Sequence, residues 1–240
     1  MDRPAVVSRD EWLTARKELL AREKAFDRER DALSARRREL PMVEITEPYV
    51  FDGPDGEATL TDLFQGRRQL IVYHFMLAPD WDAGCSGCSL LADNLGHLAH
   101  LHAAGTSFAA VSRAPLAKIT KFRERMEWDF PWYSSHGTSF NYDFHVTMDE
   151  SVTPIQFNFR NKDELREAGI GSWAMSGEQH GLSVFLREGD SVFHTYSTYS
   201  RGTDLLNGTF NYLDLTPLGR QEEAGIMDWV RHHDAYGDEG

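Results

Sequence analysis

Apolar positions at Trp12, Leu13, Leu19, Leu20, Phe26, Leu33 and Leu40 recur at roughly helical spacing through a segment otherwise crowded with charge. Residues 8 to 40 are therefore expected to form one long helix or two short ones with a mixed-charge outer face. Ser8 and Glu11 have the spacing of a capping box, and Pro41 stops the segment. Such a helix packs on its own domain or on a second subunit; its apolar spacing is too irregular for clean heptads.

From residue 49 the pattern shortens. Tyr49 to Phe51 and Glu57 to Leu60 flank the turn cluster Asp52-Gly53-Pro54-Asp55-Gly56 and read as a hairpin. A brief helical turn at residues 61 to 66 precedes Gln69 to Met76, a nearly continuous apolar run expected to be a buried central strand. Cys85 to Cys88 then opens a helix running through Leu101 to Gly105, followed by a strand (107 to 112), a helix (115 to 126) and a strand (130 to 134). This alternation implies a parallel sheet covered by helices. Residues 136 to 179 are irregular and read as an insertion. Leu182 to Leu186 and Ser191 to Tyr196 form a final hairpin, residues 205 to 215 a helical piece, and the polar stretch from His232 to Gly240 is expected to fray. The predicted organisation is a helical extension over 1–42, a main domain over 43–230, and a tail over 231–240.

Composition narrows the function classes. The 240 residues carry a net charge of -13 and 41% hydrophobic content. The negative charge repels phosphate backbones and anionic lipids, so neither a nucleic-acid nor a membrane partner is expected. No apolar run approaches the roughly 18 residues of a membrane span, and the start lacks an apolar leader, so a cytoplasmic location is expected. The two cysteines, Cys85 and Cys88, lie too close in sequence to staple distant parts of the fold. In a reducing compartment such a pair is redox-active or metal-binding.

The stretches YHFMLAPDWDAGCSGCSLLADN, FAAVSRAPLAKI, FPWYSS, FNYDF, VFHTYSTYSRG and LNGTFNYLDLTPLGR are similar to those of a bacterial thioredoxin-like family of unknown function (domain of unknown function 899), whose members are often labelled dithiol-disulfide oxidoreductases. The order of hairpin, apolar strand and cysteine-bearing helix start also resembles the peroxiredoxin-like and Sco-like branches of the thioredoxin fold. The resemblance implies an α/β thioredoxin-like fold with Cys85 as nucleophile and Cys88 as resolving cysteine. A helix N-terminus favours the thiolate of the first, and the second releases the mixed disulfide. Partners would be a protein or small-molecule disulfide or thiol, with no cofactor required. Asp82 stands where peroxiredoxins carry a threonine, which disfavours their peroxide chemistry.

Two features count against simple disulfide exchange, and the second supports an alternative. Asp80 and Asp82 could raise the Cys85 thiol if they point at the sulfur. Thioredoxins also place a proline opposite the pair, where this sequence has Gln179-His180-Gly181. In Sco-type proteins a histidine there joins two cysteines as a metal ligand, so Cys85, Cys88 and His180 could hold Cu(I), or zinc with a fourth ligand. A third reading is a non-catalytic interaction module whose N-terminal helix builds a homodimer. Among supporting residues, Trp81 and Tyr73 read as packing, with Trp81 near the active surface. Arg113 could offset the aspartates or form a surface ion pair. His74 reads as a core histidine bonded to backbone or, if aimed at the cysteines, a proton relay, and His194 is similar. His97, His100 and His102 read as surface helix residues, with His97 and His100 on one face.

Overall fold

A computed structural model describes residues 4–237. The chain opens with helix α1 (Arg9–Arg38), whose N-terminus is closed by the reciprocal Ser8–Glu11 box. Then follow strands β1 (Val43–Glu44), β2 (Val50–Gly53), β3 (Gly56–Thr59) and β4 (Gln69–His74), helices α2 (Ser86–Asp93) and α3 (Ala99–Ala103), β5 (Thr106–Ser112), α4 (Leu116–Arg125) and β6 (Trp132–Ser134). The segment read as an insertion holds α5 (Phe140–Asp143), β7 (Thr147–Met148), β8 (Gln156–Phe157), β9 (Arg160–Asn161), α6 (Lys162–Glu167) and β10 (Gly177–Glu178). The long strands β11 (Gly181–Glu188) and β12 (Ser191–Tyr199) and helix α7 (Gly208–Leu213) complete the order.

Eight strands form one mixed sheet in the order β1-β12-β11-β4-β5-β6-β2-β3. β4, β5 and β6 are parallel, as the strand-helix alternation predicts, while β11 runs antiparallel to β4 and brings Gly181 opposite His74. Alternation along the strands sorts side chains between the two faces. Tyr73 and Phe75 join Cys88, Leu91, Phe122 and Trp132 in the core under α2 and α4. Leu70 and Val72 join Phe51, Phe64, Phe140, Phe144 and Phe185 on the other face. The segment over 136–179 has a small core of its own, built on Met148, Ile155, Phe157, Leu165 and Ala174.

Two expectations are corrected. The helix read from Cys85 to Leu101 breaks after Asp93. Asn94 turns its side chain back to the Leu90 carbonyl (2.7 Å) and accepts the backbone N–H of Thr209 (2.8 Å), so the helix end is tied to α7 instead of continuing toward His97. The tail over 231–237 is docked, not frayed: Arg125 makes paired contacts of 2.8 Å with Asp234, His233 meets Asp93 at 2.7 Å, and His232 Nε2 donates to the Gly84 carbonyl at 2.8 Å. Residues 238–240 of that expectation lie outside the described residues.

Helix α1 buries none of its side chains against the described residues. Phe26 is 66% exposed and Trp12 45%. A variant beginning at residue 41, which keeps β1, is expected to lose under about 1 kcal/mol and to melt within about 4 °C of the full chain by scanning calorimetry. A larger fall would show that α1 is packed in solution, against a second copy.

Candidate functional site

Cys85 occupies the N-cap of α2, after the loop that leaves the carboxyl end of β4. Its backbone N–H donates to the Met76 carbonyl at 3.1 Å, and its own carbonyl accepts the N–H and hydroxyl of Ser89, both at 2.9 Å. The loop ahead of it is anchored by the Ala114 N–H on the Leu77 carbonyl. These backbone bonds fix the cysteine at a helix start, where unsatisfied N–H groups converge.

The two thiols, both free, are strongly unequal. Cys88 is buried, and burial first, then the neighbouring Cys85, pushes its thiol well above the ordinary value. Cys85, partly exposed, is lowered to about 6. The hydrogen bond from the Cys88 thiol is the largest cause; the N–H groups of Cys88 and Gly87 and the charge of His232 act in the same direction, and burial opposes them. A thiolate held by a protonated neighbour one helical turn away is the arrangement a nucleophile and resolving thiol require.

Tyr73 lies directly beneath the pair. Its ring is 1% exposed, and its hydroxyl lacks a hydrogen-bond partner of ordinary geometry among the described residues. Burial first, then Cys88 and Cys85, raises the phenol well above its usual range, so it is a neutral hydroxyl beside the sulfurs. The cysteines open into a cavity of about 380 Å³ whose far walls come from residues after β12, including Ser200, Asn207, Phe210 and Met227. Met227 sits close over Gly87: a Cβ there would lie 3.0 Å from its Cε.

The other sequence candidates divide. Trp81 packs at the edge of the core containing Cys88, and its carbonyl accepts from Lys118. Asp80 and Asp82 are exposed and are not among the groups that shift Cys85, so the expected opposition from a carboxylate is not seen. His74 points away from the cysteines, because alternation along β4 puts it on the face opposite Tyr73. There it lies against Phe140 and Phe144 and meets Ser183 Oγ at 2.8 Å, so it is a core histidine bonded to a side chain and not a relay. Its imidazole is lowered to about 3 by burial, with His194 adding to the effect. His194 ends the same buried chain through Ser197. Arg113 is bound to the buried Glu178, with its NH2 group at 2.6 Å, and not to the aspartates before Cys85.

His180 does line the cysteine cavity, but its Nε2 lies 3.2 Å from the Ser200 carbonyl. Among the described residues no three His, Cys, Asp or Glu side chains, Cys85, Cys88 and His180 included, are grouped so as to hold a metal ion. His97 lies before α3, where its Nδ1 accepts the Ala99 N–H, so the shared helix face expected for it and His100 does not form. The residues missed in the sequence are His232, Asn207 and the position of Tyr73 against the cysteine pair. Only Tyr73 carried a signal, its position twelve residues before Cys85 in the strand that leads to it.

A cysteine pair at the N-terminus of the helix after a central parallel strand, with an antiparallel strand entering opposite it, defines a protein of the thioredoxin-like class. The chain belongs to a family described as "Bacterial protein of unknown function (DUF899)", which it matches over residues 1–236. No curated protein matches it. Among solved structures it is similar to the peroxidoxin BcpB of Mycobacterium tuberculosis, at 15% identity over 72% of this chain and 97% of that one, with a TM-score of 0.44. It is likewise similar to the bacterioferritin comigratory protein of Xanthomonas campestris, at 12% identity over 72% and 98%, with a TM-score of 0.43. No helix among the described residues is long and apolar enough to cross a membrane.

Proposed function

We propose that the protein is a dithiol-disulfide oxidoreductase in which Cys85 attacks and Cys88 resolves. The observation that carries this reading is the placement of the pair: Cys85, partly exposed, stands at the N-cap of α2 and Cys88 is buried in the first turn of the same helix, an arrangement with which the lowered Cys85 thiol and the raised Cys88 thiol agree. Cys85 attacks a substrate disulfide as the thiolate, the substrate S–S bond breaks as the mixed disulfide forms, and Cys88 then displaces the bound thiol to leave a Cys85–Cys88 disulfide. Tyr73 keeps a neutral O–H beside the sulfurs, where it can donate to whichever one carries charge.

The Cys88→Ser variant tests the order of events. Mixed with a symmetrical small disulfide, it is expected to accumulate one mixed disulfide at Cys85, seen by mass spectrometry of the intact and digested protein. Cys85→Ser should form none. An adduct on Cys88 in the Cys85→Ser protein, at a rate equal to that of the Cys88→Ser protein, would overturn the assignment.

A further inference from the structure

Resolution of the mixed disulfide asks more of the site than the attack by Cys85 does. Cys88 is 2% exposed and must shed its proton in a largely apolar interior before it can attack Cys85 Sγ. Once Cys85 is tied to substrate it carries no charge, and the hydrogen bond that Cys88 gave it is lost. A thiolate formed at Cys88 therefore needs donors of its own.

The strand beneath holds one. Register places Tyr73 opposite Leu182 and His74 opposite Gly181, so alternation along β4 sends Tyr73 to the cysteine face and His74 to the other. Tyr73 shares a core with Cys88 and borders the same cavity. Its hydroxyl is occluded from solvent and from anything entering that cavity, and it makes no hydrogen bond of ordinary geometry among the described residues. Buried polar groups are normally satisfied, and one left open costs free energy that a charge appearing beside it recovers. The sulfur it serves is Cys88. The Tyr73 hydroxyl and the Met76 N–H favour the Cys88 thiolate, whereas Cys88, Gly87 and His232 hold the Cys85 thiolate and Tyr73 is not among them. Other polar groups around the cavity are engaged elsewhere: His180 donates to the Ser200 carbonyl, Arg220 binds Asp214 and Asp204, and Arg201 binds Asp204. Glu222, which accepts the Met227 N–H, is a carboxylate and offers a sulfur no donor.

Resting on the dithiol reading, we propose that Tyr73 is a catalytic residue of the resolving step alone, its O–H donating to Cys88 Sγ as that sulfur becomes a thiolate. The Cys85 thiolate first attacks one substrate sulfur and expels a thiolate, which takes the Cys88 proton as the Tyr73 O–H turns to Cys88. Cys88 then attacks Cys85 Sγ, the Cys85–substrate bond breaks, and the second thiolate leaves and is protonated by water. Two electrons pass from the pair to the substrate disulfide. Burial holds the Tyr73 phenol well above its usual range, so it lends the hydrogen bond and keeps the proton. A bond made only as charge develops lowers the barrier without stabilising the resting site.

Rapid-quench mass spectrometry of the reduced full-length chain with bis(hydroxyethyl) disulfide separates the two steps, because the mixed and internal disulfides differ in mass. Tyr73→Phe is expected to attack at the rate of the unaltered protein and to convert the mixed disulfide about ten- to a hundredfold more slowly, the worth of one hydrogen bond to a charged group. The unchanged attack rate also reports that the helix start is intact. A ring-fluorinated tyrosine in place of Tyr73 keeps the hydroxyl, makes it a stronger donor and should quicken the conversion; this arm stands if Tyr73→Phe fails to fold. Unchanged conversion in either variant, or an attack slowed as much as the conversion, overturns the role of Tyr73 and leaves the dithiol chemistry intact. If the unaltered protein forms no Cys85–Cys88 disulfide, the dithiol reading itself falls, and the role of Tyr73 with it.

Discussion

Replacing Cys85 by serine is expected to abolish disulfide reduction, and alkylation of the unaltered protein by iodoacetamide should rise through a pH of about 6. The sign follows from the site. Cys85 is an acid whose value is lowered, chiefly by the hydrogen bond from Cys88 and then by the Cys88 and Gly87 N–H groups and His232. Its reactivity is therefore present above about pH 6 and lost as pH falls through that value. At pH 7 it would carry about thirtyfold more thiolate than a thiol of ordinary pKa near 8.5. Cys88→Ala removes the largest stabilising group and should move the alkylation midpoint upward, and His232→Ala should move it in the same direction by less. A midpoint near 8.5 in the unaltered protein would contradict the asymmetry between the two thiols.

Gly84→Ala is expected to be the most damaging single-methyl change near the site. A Cβ on Gly84 would stand 2.5 Å from Phe75 Cε1 and 2.7 Å from Phe122 Cε1. Neither ring has space to retreat: Phe75 packs against Trp132 at 4.5 Å between centroids and against Trp128 at 5.8 Å, and Phe122 is held between Trp128 and Trp132. The Gly84 carbonyl also receives His232 Nε2, so a displaced loop would carry that histidine away from Cys85. Overpacking of this kind costs about 1–3 kcal/mol, which corresponds to a fall in thermal midpoint of roughly 2–10 °C for a chain of this size. An unchanged midpoint would show that the aromatic cluster yields to an added methyl group.

The parts of the molecule governed by local pattern were readable from the sequence. The Ser8–Glu11 box, the apolar run of β4, the parallel alternation through β6 and the turn between β11 and β12 all follow from spacing and turn chemistry that neighbouring residues settle among themselves. So did the placement of Cys85 at a helix start. The helix break at Asn94 was hidden because its cause is Thr209, far along the chain. The direction of His74 depends on strand register, which an apolar run buried on both faces does not display. His232 and Asn207 reach the cysteine site through docking of the C-terminal segment, and neither has a neighbour in sequence that hints at chemistry. His180 arrives where the resemblance to Sco-type proteins places it, lining the cysteine cavity, yet its ring is turned to the Ser200 carbonyl.

The most direct test of the central claim is the equilibrium reduction potential of the Cys85–Cys88 pair, measured on the full chain against a defined thiol-disulfide buffer. Stabilising the Cys85 thiolate favours the reduced pair and moves the potential toward the oxidising side. The account predicts a reversible two-electron couple within about -120 to -270 mV, the range spanned by protein exchangers. A pair that forms no disulfide, or one whose potential lies below about -300 mV as for structural disulfides, would contradict it.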